Sequence, residues 1–136
     1  MKKFLVIISF LFLIFSAEKT YACSCVPPET AEQSFQTSRA IFSAKVLSIT
    51  ENKSKYIKVI KLKLKESWKG NLLKTFTITT AFSGGMCGYT FKVGREYLIY
   101  ANGKDSKSLS TTNCTRTAIL TSNKDVEILD KLRKNN

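Results

Sequence analysis

A mainly β chain, folded as a five-stranded OB-like Greek-key barrel with short helices, including a C-terminal helix, is predicted by three observations. Short alternating apolar segments are separated by turn residues. One longer segment changes the phase of its apolar face midway, as a bulged barrel strand does. The last apolar stretch repeats at helical spacing.

The first element precedes the domain. Lys2 and Lys3 supply a positive start, Phe4 to Ser16 is almost unbroken in Leu, Ile, Phe and Val, and Thr20-Tyr21-Ala22 ends on a small residue, so residues 1–22 read as an export signal. The apolar run is shorter than the roughly 20 residues a membrane-crossing helix needs, and no second one follows, so no transmembrane segment is expected after cleavage. Cleavage after Ala22 leaves one domain, 23–136, and makes Cys23 its first residue. Cleavage after Ala17 is the alternative and would leave Glu18 to Ala22 in front of it.

Within the domain, Pro27-Pro28 followed by Glu29, Thr30, Ala31 and Glu32 suits a helix start with acidic residues in its first turn, and Phe35 is its inward anchor. Ala40 to Thr50 alternates as a strand, and Glu51-Asn52-Lys53-Ser54 is the turn after it. From Tyr56 to Lys65 runs the clearest strand. Ile57 and Val59 occupy odd positions and Ile60, Leu62 and Leu64 even ones, so a bulge between Val59 and Ile60 is expected to restore one inner face. Lys61, Lys63 and Lys65 then form an outward basic row. Lys69-Gly70-Asn71 breaks the chain, and Thr75 to Thr80 resumes alternation with Phe76 and Ile78 inward. Ser83-Gly84-Gly85-Met86-Cys87-Gly88 is a flexible connection, Glu96 to Ala101 the fourth strand and Ser108 to Thr112 the fifth. Asn123 begins the terminal helix, with Val126, Leu129 and Leu132 on one face.

Composition narrows the function. The formal charge of +12 over 136 residues falls to about +10 once Lys2, Lys3, Lys19 and Glu18 leave with the signal. This excess favours attraction to anionic surface polymers. Nucleic acid is not expected, because the lysine row lacks interleaved stacking aromatics. The chain has no histidine, which removes Ser-His and Cys-His nucleophile pairs and imidazole metal sites. Gly84, Gly85 and Gly88 lack the Gly-Lys-Ser/Thr ending of a phosphate cradle. Export puts the four cysteines in an oxidising compartment, extracellular or periplasmic. A bond between Cys23 and Cys25 would close a strained ring, so each is expected to bond one of Cys87 and Cys114, in either pairing. With the cysteines so committed, neither an enzyme nor a cofactor is expected.

A cysteine at a mature terminus carries a free α-amine beside its own carbonyl, and the two can chelate a metal together. Cys23-Ser24-Cys25-Val26-Pro27-Pro28, Ala40-Ile-Phe-Ser-Ala-Lys45, Trp68-Lys69-Gly70, Cys87-Gly88-Tyr89, Glu96-Tyr97-Leu98-Ile99 and Thr112-Asn113-Cys114 occur in an order and spacing that resembles the inhibitory domain of tissue inhibitors of metalloproteinases, a netrin-like module. The resemblance covers essentially all of Cys23 to Asn136 and implies an OB-like fold with disulfides Cys23–Cys87 and Cys25–Cys114. It also implies a secreted inhibitor whose Cys23 amine and carbonyl chelate the catalytic zinc of a target metalloproteinase, the only metal contact expected. Ser24 then points into the primed-side specificity pocket, Cys25, Val26 and Pro27 continue along the cleft, and Ser83, Gly84, Gly85 and Met86 lie on the unprimed side. Gln36 stands where the family has the first cysteine of a third disulfide, and the second, cysteine-rich domain of animal members is not expected. The alternative from a different class is a netrin-type extracellular binding module that acts through its basic surface without protease inhibition. A third is a lipoprotein acylated on Cys23, which Thr20 and the odd cysteine left over both disfavour.

Overall fold

A computed structural model describes residues 23–26, 30–121 and 124–135. The segment 1–22 expected to be an export signal, Pro27-Pro28 and Asn123 lie outside the described residues.

Thr30 starts the first helix, α1 (Ala31–Thr37), by a reciprocal cap. Its hydroxyl accepts from the Gln33 amide at 3.2 Å while its own amide donates to Gln33 Oε1 at 2.9 Å, which satisfies two donors the first turn would otherwise leave open. Phe35 is buried on its inner side. The strands β1 (Ala40–Asn52), β2 (Ile57–Lys69), β3 (Thr75–Ala81), β4 (Glu96–Ala101) and β5 (Ala118–Ile119) follow, and α2 (Lys124–Lys134) ends the chain. All five strands pair antiparallel in one open sheet of order β3-β2-β1-β4-β5. Three hairpin-connected strands with the fourth returning beside the first is the Greek-key arrangement.

Period-two alternation divides the apolar residues between two cores. Ala40, Phe42, Ala44 and Val46 of β1, with Ile60, Leu62, Ile78, Tyr97 and Ile99, fill one side of the sheet. Ile41, Trp68, Leu98 and Tyr100 point the other way and pack with Phe35 of α1 and Leu129 of α2, and Val126 and Leu132 flank them. The predicted helix face is thus the buried one. The Trp68 indole N–H donates to Asp130 at 2.7 Å, which fixes α2 on the sheet.

Three sequence expectations are corrected. No bulge lies between Val59 and Ile60, where β2 pairs with Thr50 and Ile49 on one side and Thr79 and Ile78 on the other without a break. The register shifts instead fall at Ile41/Phe42, Ser43/Ala44 and Val46/Ser48 of the β1–β2 ladder. Ile57 and Val59 stay on the outer face, half-buried, because local packing accepts apolar residues on both sides. The first strand runs on to Asn52, so the turn falls two residues late. There the Asn52 side chain accepts from the Ser54 hydroxyl at 2.7 Å and the Lys55 amide at 3.2 Å.

The fifth strand is Ala118–Ile119, not Ser108 to Thr112. Ser110 makes only isolated bridges, parallel to Thr79 of β3 and antiparallel to Asn102 just after β4. Main-chain bonds from Thr79 N to Leu109 O (2.9 Å) and from Thr111 N to Thr79 O (3.0 Å) tie this segment to the β3 edge. The segment links the two sides of the sheet, as an OB-like barrel requires, although the ladder itself stays open. Among the described residues no helix is long and apolar enough to cross a membrane.

Candidate functional site

Two loops on this scaffold receive residues 23–26. The first leaves β3 and carries Cys87, the second follows β4 and carries Cys114. Cys23 is bonded to Cys87 with Cα atoms 5.4 Å apart, and Cys25 to Cys114 at 5.2 Å. The loops are also joined directly, by Asn113 N donating to Cys87 O at 2.8 Å. The segment 23–26 therefore sits across a pair of loops already bonded to each other.

The first loop is tightly constrained at its base. Gly88 N donates to Phe82 O at 3.1 Å and Phe82 N to Tyr56 O at 3.1 Å, while Tyr89 N donates to the buried Thr80 hydroxyl at 2.8 Å. A side chain at Gly88 would collide with the Ala81 carbonyl, so only glycine lets the two ends of the loop approach this closely. Gly84 (φ 87°) and Cys87 (φ 58°) adopt left-handed backbone that turns the loop back, with Cys87 N bonded to Gly84 O at 3.0 Å. Ser83, Gly84, Gly85 and Met86 are exposed on its tip.

The second loop rests on a polar network that the sequence did not suggest. Thr111 donates to Tyr100 O at 3.0 Å and lies 2.8 Å from the Thr117 hydroxyl, which in turn accepts from Tyr100 N at 3.0 Å. Two residues beyond Cys114, Arg116 grips Asp125 of α2 with both arms, Nε to Oδ2 at 2.8 Å and Nη2 to Oδ1 at 2.6 Å. The Tyr100 hydroxyl donates to the same carboxylate at 3.0 Å. Burial opposes ionisation of Asp125, but hydrogen bonds from Arg116 and Tyr100 and the Arg116 charge outweigh it and hold the carboxyl below its usual range. Burial and the neighbouring Asp125 push the Tyr100 phenol up. The carboxylate thus links the Cys114 loop to β4 and α2. Arg116 and Asp125 lie nine residues apart across a chain reversal, with no motif to mark them.

Of the residues singled out from sequence, Cys23, Ser24, Cys25 and Val26 share one ridge with the tip Ser83 to Met86, joined through the Cys23–Cys87 bond, and Pro27 lies outside the described residues. Ser24 and Cys25 are exposed, and Val26 is 83 % exposed, the most open large apolar side chain among those described. Met86 is 49 % exposed on the other branch. The sulfurs of Cys23, Cys87 and Cys114 lie within 4.8 Å of one another, yet each is in a disulfide. They offer no thiolate to a metal of the protein's own. What the ridge presents is a narrow apolar and polar edge braced from beneath. Residues 21–123 match the protein family described as tissue inhibitor of metalloproteinase. No curated protein matches the chain.

Proposed function

Because the chain belongs to the tissue inhibitor of metalloproteinase family, whose members are inhibitors rather than enzymes, we propose that it is a secreted inhibitor of zinc metalloproteinases that acts through the ridge 23–26. The observation that carries this reading is the double anchoring of that ridge: two disulfides within three residues hold an exposed Cys23-Ser24-Cys25-Val26 edge on two bonded loops. An edge ordered before it binds loses little conformational entropy on entering a cleft. After cleavage behind Ala22 the Cys23 amine and carbonyl stand at the end of the edge. A catalytic zinc in a target protease keeps one open position, normally filled by water, and the neutral amine with its carbonyl takes that place. Ser24 then enters the adjoining pocket, while Val26 and the tip Ser83 to Met86 occupy the cleft on either side.

The amine must lose its proton to bind zinc, and its unperturbed pKa is about 7.7 to 8.0. Inhibition by the exported protein is expected to weaken as pH falls below that range on a protease that stays active there. Adding one alanine before Cys23, or acetylating its amine, should abolish inhibition and leave thermal stability unchanged. An extended protein that inhibits as well as the native one would remove zinc chelation from the mechanism.

A further inference from the structure

We propose that a groove leading away from the ridge docks an acidic segment of the target protease, with Arg39 and Lys69 at its far end taking the carboxylates. The proposal rests on the inhibitor reading for the identity of the partner and on the groove itself for the chemistry. One cavity of about 340 Å³ opens between Val26 and Cys114, and a second of about 440 Å³ ends at Arg39 and Lys69. They share Thr37, Ser38 and Asn102, and so form one path. Val26 and Cys114 belong to the ridge, so a protein seated on the ridge presents its neighbouring surface to this path.

The charges along it are one-sided. Its lining includes Arg39, Lys69 and Arg116 and no Asp or Glu. Arg116 is already neutralised by Asp125, whereas Arg39 makes no ion pair among the described residues. Lys69 donates to Phe35 O at 2.6 Å and Gln36 O at 3.1 Å, the last-turn carbonyls of α1, which place its ammonium without supplying a full counter-charge. Partial burial and the charge of Arg39 both lower its pKa, as expected of two cations sharing one recess with no anion between them.

The walls are fixed in advance. Arg39 N donates to Ala101 O at 2.9 Å, and Asn102 exchanges main-chain bonds with Ser110 at 2.8 and 2.9 Å. Ser38 and Asn102, at the junction of the cavities, add neutral hydrogen-bonding groups. The two volumes, each at the scale of a pocket for a drug-sized ligand, suit several residues of chain better than one inorganic ion. The planar guanidinium of Arg39 favours a carboxylate held in two-pronged fashion.

The test uses the exported protein, Arg39→Ala, and Lys61→Ala as a control that removes the same charge from the exposed β2 row. The probe is a fluorescein-labelled, N-acetylated hexaglutamate peptide read by anisotropy, with dextran sulfate as competitor, and inhibition of a zinc endopeptidase is measured in parallel. Arg39→Ala is expected to weaken peptide binding about tenfold and Lys61→Ala less than about twofold, with the melting temperature unchanged in both. Arg39→Ala should also raise the inhibition constant. Equal losses in the two variants would show attraction by net charge alone and overturn the groove. So would dextran sulfate displacing the peptide equally well from Arg39→Ala and the native protein. If the alanine-extended protein loses inhibition while Arg39→Ala inhibits and binds peptide normally, the groove is wrong and the inhibitor reading stands. If no zinc endopeptidase is inhibited but peptide binding depends on Arg39, the groove stands and the inhibitor reading falls.

Discussion

Replacing Cys25 and Cys114 by alanine removes one of the two braces, and the cost follows from how their loops overlap. Taken alone, a cross-link closing 89 residues is worth about 4.6 kcal/mol in the chain-entropy model, and one closing 64 residues about 4.3 kcal/mol. The loops are not independent. With Cys23–Cys87 intact, the unfolded chain can pass from Cys25 to Cys114 through that bond, two residues back to Cys23 and 27 onward from Cys87. The circuit that the second bond closes is then about 29 residues and its value about 3.6 kcal/mol. The same circuit governs removal of Cys23–Cys87 with the other bond in place. The two single-bond variants should therefore lose nearly equal stability, about 3.6 kcal/mol each, and the variant lacking both about 8 kcal/mol, somewhat more than their sum. A loss of that size consumes most of the stability of an ordinary domain, about 5 to 15 kcal/mol, so the doubly reduced chain should be largely unfolded without an osmolyte. Urea unfolding of the oxidised protein and its variants measures this. A single-bond loss below about 1 kcal/mol, or losses differing by more than about 2 kcal/mol, would refute the shared-circuit reasoning.

Two further outcomes are expected. Asp125→Asn should destabilise the protein by about 2 to 3 kcal/mol in denaturant unfolding, because the partly buried Arg116 charge then faces a neutral amide in place of the carboxylate. Since the Asp125 carboxyl is held below its usual range, its contribution is present above the unfolded value of about 3.9 and is lost as pH falls through the lower folded value; the native protein should weaken along that acid limb, and Asp125→Asn should flatten it. At the ridge, Ser24→Leu should shift selectivity between zinc proteases with deep and shallow pockets by about 1 to 3 kcal/mol, read from inhibition constants across a panel, and an unchanged profile for Ser24→Leu and Ser24→Gly would exclude Ser24 as the pocket residue.

The parts legible in the sequence are those whose signal is local. Glu96 to Ala101 is found to the residue because five of its six side chains are buried, both cores drawing on one short apolar run. The helix face of Val126, Leu129 and Leu132 is legible for the same reason. Register shifts in β1 and β2 were not, since coiling of the paired strands sets them and the phase of apolar residues does not. A two-residue fifth strand gives no pattern to read, and Ser108 to Thr112 resembles a strand because Leu109 is buried and Ser110 bridges two neighbours. The disulfides that anchor the ridge were legible through the family resemblance, which the cysteine positions carry. The support beneath Cys114 was not: threonines at 111, 115 and 117 read as loop composition, and Asp125 reads as a first-turn helix acid until Arg116 and Tyr100 are seen to meet it.

That support explains how a small domain keeps its ridge in place. Cys87 and Cys114 leave the sheet from different strands, so their separation would otherwise follow every motion of the β3 and β4 ends. Three kinds of bond oppose this at different depths: the disulfides at the surface, the Asn113 to Cys87 main-chain bond just below, and the Tyr100, Thr111 and Thr117 cluster within the fold. The Arg116–Asp125 pair extends the last of these into α2, whose Leu129 is fully buried against β1 and β4. A helix on the opposite side of the sheet from the Phe42, Ile60 and Ile99 core is thereby mechanically connected to the loop that carries Cys114. The terminal helix belongs to the support of the ridge as much as to the hydrophobic core, because a carboxylate shared by β4, the loop and the helix can be satisfied only while all three keep their places.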